Sequence, residues 1–586
     1  MDLPIKRRTF IRLLIVSVAL IVGTLSVAPS IFAIHALGQE YKGIPFMYLD
    51  DEDYYLARIH EVVDGHIMVG SPFLAEYKDR APLAFPLGEF FYAAPIAIGI
   101  PIDVVVPAAK FLFPALLFLL VYALTMRLVS ESDRLAGRAT AVAAGLLLTL
   151  GFEFTNVGYA VRYLMGSVNS LDLSMWTRPV NPVIGALLLF SSLLLVKKAL
   201  DTKRMPWFIA SGILSGLMLY NYYFSWMMGS AVLLSMFLIH AALKDRQAVK
   251  GLFVAGIADL LAAAPYFVSA LRSMGSADGA SVSARNGMTL SHAPLLNKAV
   301  LVAAVFFIGL TFMEWLKTRK LKEIASRPWW VFCASLLLGS LIAFNQQVIT
   351  GRSLWPYHFV QYSIPFSMIV CLVAIHEVVR PRFRWLWIIA TAVCIVAPIA
   401  FGIRASTSYT EVLPDFRTVQ ADASVFAWLD ANEPKDCVVL VKEQGDSLNR
   451  LIPAFTHCNT YVTRWVFAGV PQERVLHDYY VYLRMNGVTA EDVQKYLEAH
   501  PEEVRGYFFD DWQTAFAQGH DAWLIGKESE LAEGYAEFLK GDFKTQIHSY
   551  HVDVLVSDTV LSEDEQASIG LAKDFGKVGN EYVYGF

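Results

Sequence analysis

Charge is scarce in this chain. Asp, Glu, Lys and Arg make up only 17% of its 586 residues, too few to coat a soluble globule of that length, while 55% are hydrophobic. With a mean hydropathy of +0.45, the apolar excess must face lipid. Basic stripes and zinc-finger spacings are missing, and the C-terminal third is acidic, which excludes nucleic-acid binding through phosphates. Cysteine is rare, with five in all. Cys333, Cys371 and Cys394 stand in apolar runs, where a thiol acts as a small core residue. Cys437 and Cys458 fall in the polar C-terminal stretch, and there a disulfide and two free thiols are equally open. That stretch also lacks GxGxxG, P-loop, HExxH and GxSxG sequences, so its expected task is to cover or steer rather than to catalyse.

Long apolar runs fill the rest. Runs of roughly 17 to 25 residues predict spans at Phe10 to Ile34, Val104 to Val129, Gly137 to Phe152, Pro182 to Val196, Trp207 to Tyr223 and Phe224 to Leu243. Five more follow at Leu252 to Ala270, Ala299 to Leu316, Trp329 to Val348, Phe359 to Val379 and Trp385 to Ile403. The fold class is therefore a polytopic α-helical membrane protein of about eleven spans. Every second connection is basic: Arg127 to Arg138, Lys197 to Arg204, Lys244 to Lys250, Lys317 to Arg327 and Arg380 to Arg384, with Lys6, Arg7, Arg8 and Arg12 ahead of or opening the first span. The positive-inside rule then puts the N-terminus in the cytoplasm, and the loop 35–103 and everything after the last span outside. The first run is too long for a signal-peptide core, and the charge alternation needs it as an anchor.

A composition shift at residues 405 and 406 marks the domain boundary. Residues 1–405 carry 34 Lys and Arg against 23 Asp and Glu, a net +11; residues 406–586 carry 14 against 30, a net −16. In the second part, β-rich runs at Cys437 to Lys442, Thr460 to Trp465, Val552 to Ser557 and Lys577 to Tyr584 alternate with helical patterns near 419–431, 489–499 and 528–539, which predicts a soluble α/β domain.

The densest polar feature on the outer side is the run from Asp50 to Asp53, soon after the first span. Leu56, Ile59, Val62 and Val63 recur at helical spacing, so a helix begins inside the acidic cluster and stops at Gly65. Capping by Asp50 or Asp51 accounts for one or two acids, not four. Four carboxylates beside a membrane repel one another, which favours a task for them: a general base, or a cation site. Later in the loop, Lys78 and Arg80 lead into an apolar stretch broken by Pro86, Pro95 and Pro101, which suits an interfacial helix, with cations at the level of lipid phosphates. The bland alternative is that both cations snorkel to ordinary headgroups.

This order of residues resembles the GT-C superfamily of membrane glycosyltransferases, and within it the protein mannosyltransferase and lipid A aminoarabinose transferase branch. Asp51-Glu52, then Tyr55, then Arg80-Ala81-Pro82-Leu83 stand where that branch has an Asp-Glu pair, a tyrosine and a Lys-Pro-Pro-Leu-like stretch. The resemblance implies a lipid-linked sugar donor, a polyprenyl phosphate sugar, as co-substrate. It makes Asp51 the catalytic base, Glu52 its neighbour, and Arg80 or Lys78 a donor-phosphate contact. Asp53-Tyr54-Tyr55-Leu56-Ala57-Arg58 is also similar to the first loop of oligosaccharyltransferase catalytic subunits, where the aspartate helps to bind a divalent metal; the Trp-Trp-Asp-Tyr-Gly motif of those enzymes is absent. Asp53 therefore stays a candidate beside Asp51 and Glu52, and metal dependence stays open.

Two further outer connections offer Arg178, Arg352 and His358, suited to phosphate oxygens or equally to the interfacial belt. Asn221-Tyr222-Tyr223 reads as a tight turn and nothing more. Of the ionisable residues within spans, Lys110 and Asp259 are expected to pair across helices or to border a lipid-tail groove, and Glu314 to snorkel near the inner end. The functional expectation is a glycosyltransferase acting on an extracytoplasmic protein, lipid or glycan acceptor. En bloc oligosaccharide transfer is the variant on the same fold, and a lipid-linked substrate transporter or flippase the alternative from another class. The transporter lacks its usual signature, since no internal repeat is seen and the acids cluster outside the membrane.

Overall fold

The structure is a computed structural model that describes residues 5–586 except 48–50, 83, 131–132, 166–174, 276–277, 443–447, 463–468 and 511–520. Asp50, Leu83 and the end of the strand expected through Trp465 lie outside the described residues.

Each of the eleven expected runs is helical. After α1 (Ile5–Leu37), the first connection holds two short helices, α2 (Glu52–Val63) and α3 (Phe90–Ala97). The chain then passes through α4 (Ile102–Leu128), α5 (Arg134–Leu150), the short α6 (Val157–Leu164), α7 (Val183–Thr202), α8 (Met205–Leu217), α9 (Tyr223–Ala242) and α10 (Arg246–Met274). Short α11 (Gly279–Arg285), α12 (Lys298–Thr318), short α13 (Leu321–Ala325), α14 (Pro328–Asn345), one-turn α15 (Gln347–Thr350), α16 (Val360–Ala374) and α17 (Arg384–Ala405) follow. Among the described residues, nine helices are long and apolar enough to cross a membrane. The two that fall short are α5, at 17 residues, and α8, at 13. Pro182 to Val196, one of the two shortest apolar runs, lies in a full 20-residue helix, because Lys197 to Thr202 continue it past the apolar run. The chain is a multi-pass membrane protein.

Beyond α17 come α18 (Tyr409–Val419), α19 (Ala423–Asn432), β3 (Val438–Val441), α20 (Leu448–Phe455) and β4 (Asn459–Thr460); a two-stranded pair, β1 (Met288–Leu290) with β2 (Arg352–Leu354), precedes them in the bundle's connections. The chain ends through α21 (Gln472–Met485), α22 (Val493–Ala499), α23 (Pro501–Phe508), α24 (Asp521–Phe538), α25 (Phe543–Ile547), β5 (Val554–Ser557), α26 (Glu563–Ile569), β6 (Lys573–Val578) and β7 (Glu581–Gly585). The sheet order is β4-β3-β5-β7-β6. Val438-Val439-Leu440-Val441 is apolar throughout because β3 is buried on both faces, between parallel partners β4 and β5. The single strand expected over Lys577 to Tyr584 is instead a hairpin, β6 turning into β7 at Gly579, whose φ of +64° favours glycine. Edge strand β4 is covered by the first connection: Thr460 N donates to Phe73 O at 3.0 Å. Cys437 and Cys458, at the starts of β3 and β4, form a disulfide.

Candidate active site

The connections that follow the first, third, fifth, seventh and ninth spans meet at one end of the bundle and enclose a cavity of about 340 Å³. From the first connection come Asp51, Tyr54, Tyr55 and Arg58, spaced i, i+3, i+4 and i+7, so that a single face of α2 looks into the cavity. Asp51 occupies the residue before α2 but makes no side-chain cap bond. Its carboxylate instead meets Arg178, with Nη1 to Oδ2 at 2.9 Å. Arg178 also donates through Nε to Asn181 O at 2.6 Å and lies over the Tyr55 ring at 5.3 Å, which fixes its plane.

Opposite stands Tyr222, whose hydroxyl donates to Gln361 Oε1 at 3.1 Å and lies 2.9 Å from His358 Nδ1. The His358 ring is thus oriented by a buried phenol. Deeper along α2, Arg58 Nε and Glu89 Oε1 pair at 2.5 Å, and Arg58 Nη2 reaches Ala84 O at 2.8 Å. The rest of the wall is largely apolar or aromatic, with Leu219, Phe224 and Tyr266, then Ala270 and Met274 at the end of α10, and Met288, Leu354 and Trp355, and it also carries the polar Asn181, Asn221, Ser283 and Asn286. Leu260, Leu261, Val268 and Leu271 of the same helix are exposed on the outside of the bundle, as lipid-facing residues are. One cavity therefore joins a charged, hydrogen-bonding half to an apolar half beside the lipid-facing surface.

Of the eight residues singled out in the sequence, the structure brings Asp51, Arg178 and His358 together here. The other five lie elsewhere. Glu52 is fully buried on the far side of α2, 2.7 Å from Lys110 Nζ, which also donates to Phe46 O at 2.9 Å. Asp53, 4% exposed, faces Arg450 of α20 at 3.5 Å, and burial, opposed by Arg450, pushes its pKa up to about 6. Lys78 is buried between Glu61 (3.0 Å) and Asp436 (2.6 Å), and burial, opposed by Lys78, raises Glu61 to about 7. Arg80 is half exposed, over the Tyr77 ring at 4.3 Å and 3.7 Å from Asp278. Arg352 is exposed on β2.

Three expectations need correction. Lys110 does not pair with Asp259: it meets Glu52, while Asp259 accepts from Ser230 Oγ (2.8 Å) and Trp226 Nε1 (3.2 Å). Capping does not occupy Asp51. Asn221-Tyr222-Tyr223 is more than a turn, since all three residues line the cavity. Glu314, near the C-terminal end of α12, is bound by Arg327 and Arg382.

The solved structures similar to the chain include two of ArnT. ArnT from Cupriavidus metallidurans bound to undecaprenyl phosphate is 12% identical over 98% of both chains, with a TM-score of 0.44. ArnT from Cupriavidus metallidurans in the apo state is 14% identical over 99% of this chain and 98% of that one, also at 0.44. A likeness this distant assigns no residue. No protein-family model and no curated protein matches the chain.

The signal for the residues missed, Arg58, Glu89 and Tyr222, was only partly present. Arg58 shares the helical face of Asp51, so its placement follows from spacing. Glu89 and Tyr222 reach the cavity through the packing of α3 and α9, which no local pattern reports.

Proposed function

We propose that the chain is a membrane glycosyltransferase that moves a sugar from a polyprenyl-phosphate-linked donor to an acceptor on the extracytoplasmic side. The observation that carries this reading is the 2.9 Å pairing of Asp51 with Arg178 in a cavity whose other half is apolar and borders lipid. Asp51 takes the proton of the acceptor hydroxyl as its oxygen attacks the anomeric carbon. The bond from that carbon to the phosphate oxygen breaks, and Arg178, with His358 and Tyr222 nearby, receives the charge on the departing polyprenyl phosphate. The prenyl chain lies along Leu219, Ala270, Met274 and Leu354.

On this reading the cavity end is extracytoplasmic, since the basic connections sit at the opposite ends of the same helices. The first connection and the domain 406–586 then share the outer side, and the N-terminus is cytoplasmic. Glu52 anchors the start of α2 on Lys110, whereas Asp53 and Lys78 hold the C-terminal domain against it. The test is transfer of label from polyprenyl-phosphate mannose or polyprenyl-phosphate aminoarabinose in proteoliposomes. Asp51→Asn should lower the rate by about 100- to 10,000-fold with the thermal melt unchanged; full activity in that variant overturns the assignment.

A further inference from the structure

The pair Arg58–Glu89 lies in the cavity wall but has no part in the proton and phosphate steps. Both side chains are buried, Glu89 to 98% and Arg58 to 96%. Glu89 Oε1 is engaged by Arg58, but Glu89 Oε2, equally buried, has no hydrogen-bond partner among the described residues. A buried carboxylate oxygen without a donor is costly unless water or a ligand completes it, and Glu89 lines the cavity, where a ligand can. The place of the pair says which part of a ligand that is. Asp51 and Arg58 are two helical turns apart on one face of α2, about 10 Å along its axis, with Tyr54 and Tyr55 between them. With the phosphate at Arg178, beside Asp51, the glycosyl group extends over the tyrosines toward Glu89. Arg58 already neutralises Glu89, so the pair offers no net negative charge to hold an ammonium group. What it lacks is a neutral hydrogen-bond donor.

We infer that Glu89, held by Arg58, is the sugar-reading residue of the cavity, accepting a hydrogen bond from a hydroxyl of the donor's glycosyl group, and that this sugar is neutral and hydroxylated rather than an amino sugar. The inference rests on the glycosyltransferase reading and goes beyond it by naming the substrate class. Glu89 acts by binding and takes no proton.

The test uses the full chain in lipid nanodiscs and three probes: sugar-free polyprenyl phosphate, polyprenyl-phosphate mannose and polyprenyl-phosphate aminoarabinose. Wild type should bind the mannose lipid about tenfold more tightly than the bare phosphate, the scale of one hydrogen bond to a charged group, and the aminoarabinose lipid, whose ammonium finds no net negative charge there, less tightly than the mannose lipid. Glu89→Gln, which keeps an acceptor for Arg58, should lose the mannose gain while binding bare polyprenyl phosphate as before. An equal loss for all three probes, no change in the variant, a wild type indifferent to the sugar, or a preference for aminoarabinose would each overturn the inference. If the variant does not fold, wild type with monodeoxy mannose lipids reads the same contact: one position should cost about tenfold, and equal binding of all analogues overturns it. A wild type that fails to bind polyprenyl phosphate at all overturns the glycosyltransferase reading itself, an outcome distinct from the loss of sugar discrimination.

Discussion

The two faces of α2 put the same chemistry to opposite uses. On one, Asp51 is 35% exposed to a cavity and shares Arg178 with whatever enters. On the other, Glu52, Asp53 and Glu61 are buried against Lys110, Arg450 and Lys78. Adjacent residues in a helix are separated by about 100° of rotation, so a run of acids is necessarily distributed around it. A cluster in sequence is therefore not a cluster in space: one acid faces the cavity and the others tie the helix to its supports. Those supports come from two directions. Lys110 belongs to the membrane bundle, whereas Arg450 and Asp436, the latter bound to Lys78, belong to the C-terminal domain. The domain expected to steer rather than catalyse thus contacts the back of the helix whose front carries Asp51.

The sharpest way to break the comparison is on the cavity face. Arg178→Ala should lower kcat by about 100- to 1,000-fold, as removal of a leaving-group charge stabiliser does, and Arg178→Lys should restore only part because it loses the fork that meets both Asn181 O and the cavity. Steady-state kinetics check this, and a fully active lysine variant would place the phosphate elsewhere. On the supporting face the effect should be on folding. Lys110→Met removes the ammonium group from the buried Glu52 and should cost about 3–5 kcal/mol of stability. Its thermal melt should fall well below that of wild type, while Glu52→Gln with Lys110→Met together should recover much of the loss. A double variant as unstable as the single one would mean that the pair is not the anchor.

The sequence discloses the bundle because hydropathy and length are local properties: every expected span is a helix within a few residues. The misjudged lengths arise where polar residues extend a helix, as Lys197 to Thr202 extend α7, or where its regular winding stops, as α8 stops at Leu217. The site is legible only as far as helical spacing carries. Asp51 with Tyr55 could be read because they lie one turn apart, and Arg178 and His358 because they stand beside tryptophan and proline in outer connections. That Glu52 meets Lys110 could not be read, because the two are 58 residues apart. Glu89 and Tyr222 were equally hidden, since a glutamate before an apolar helix and a tyrosine in a turn carry no local mark of function.

The smallest effect expected concerns pH, and it separates the two faces without touching catalysis. Asp53 is raised from 3.8 to about 6 and Glu61 from 4.5 to about 7, in both cases chiefly by burial. A carboxyl group whose pKa is higher folded than unfolded holds a proton that the unfolded chain has already released. Its contribution to stability is therefore full below the unfolded value and is lost as pH rises through the folded one. For Asp53 that window is 3.8 to about 6, and for Glu61 4.5 to about 7. Other carboxylates, such as Asp436, held low by Lys78 and His66 despite its partial burial, act in the opposite sense, so the raw melting curve mixes both. The difference between wild type and Glu61→Gln isolates the term: the variant should gain melting temperature relative to wild type from pH 5 to pH 7 and hold that gain above. Glu61 faces Lys78 most closely, with His66 and Asp64 as its other charged neighbours, so a difference that shrinks with rising pH would show that Lys78 outweighs burial and that this carboxylate is ionised throughout.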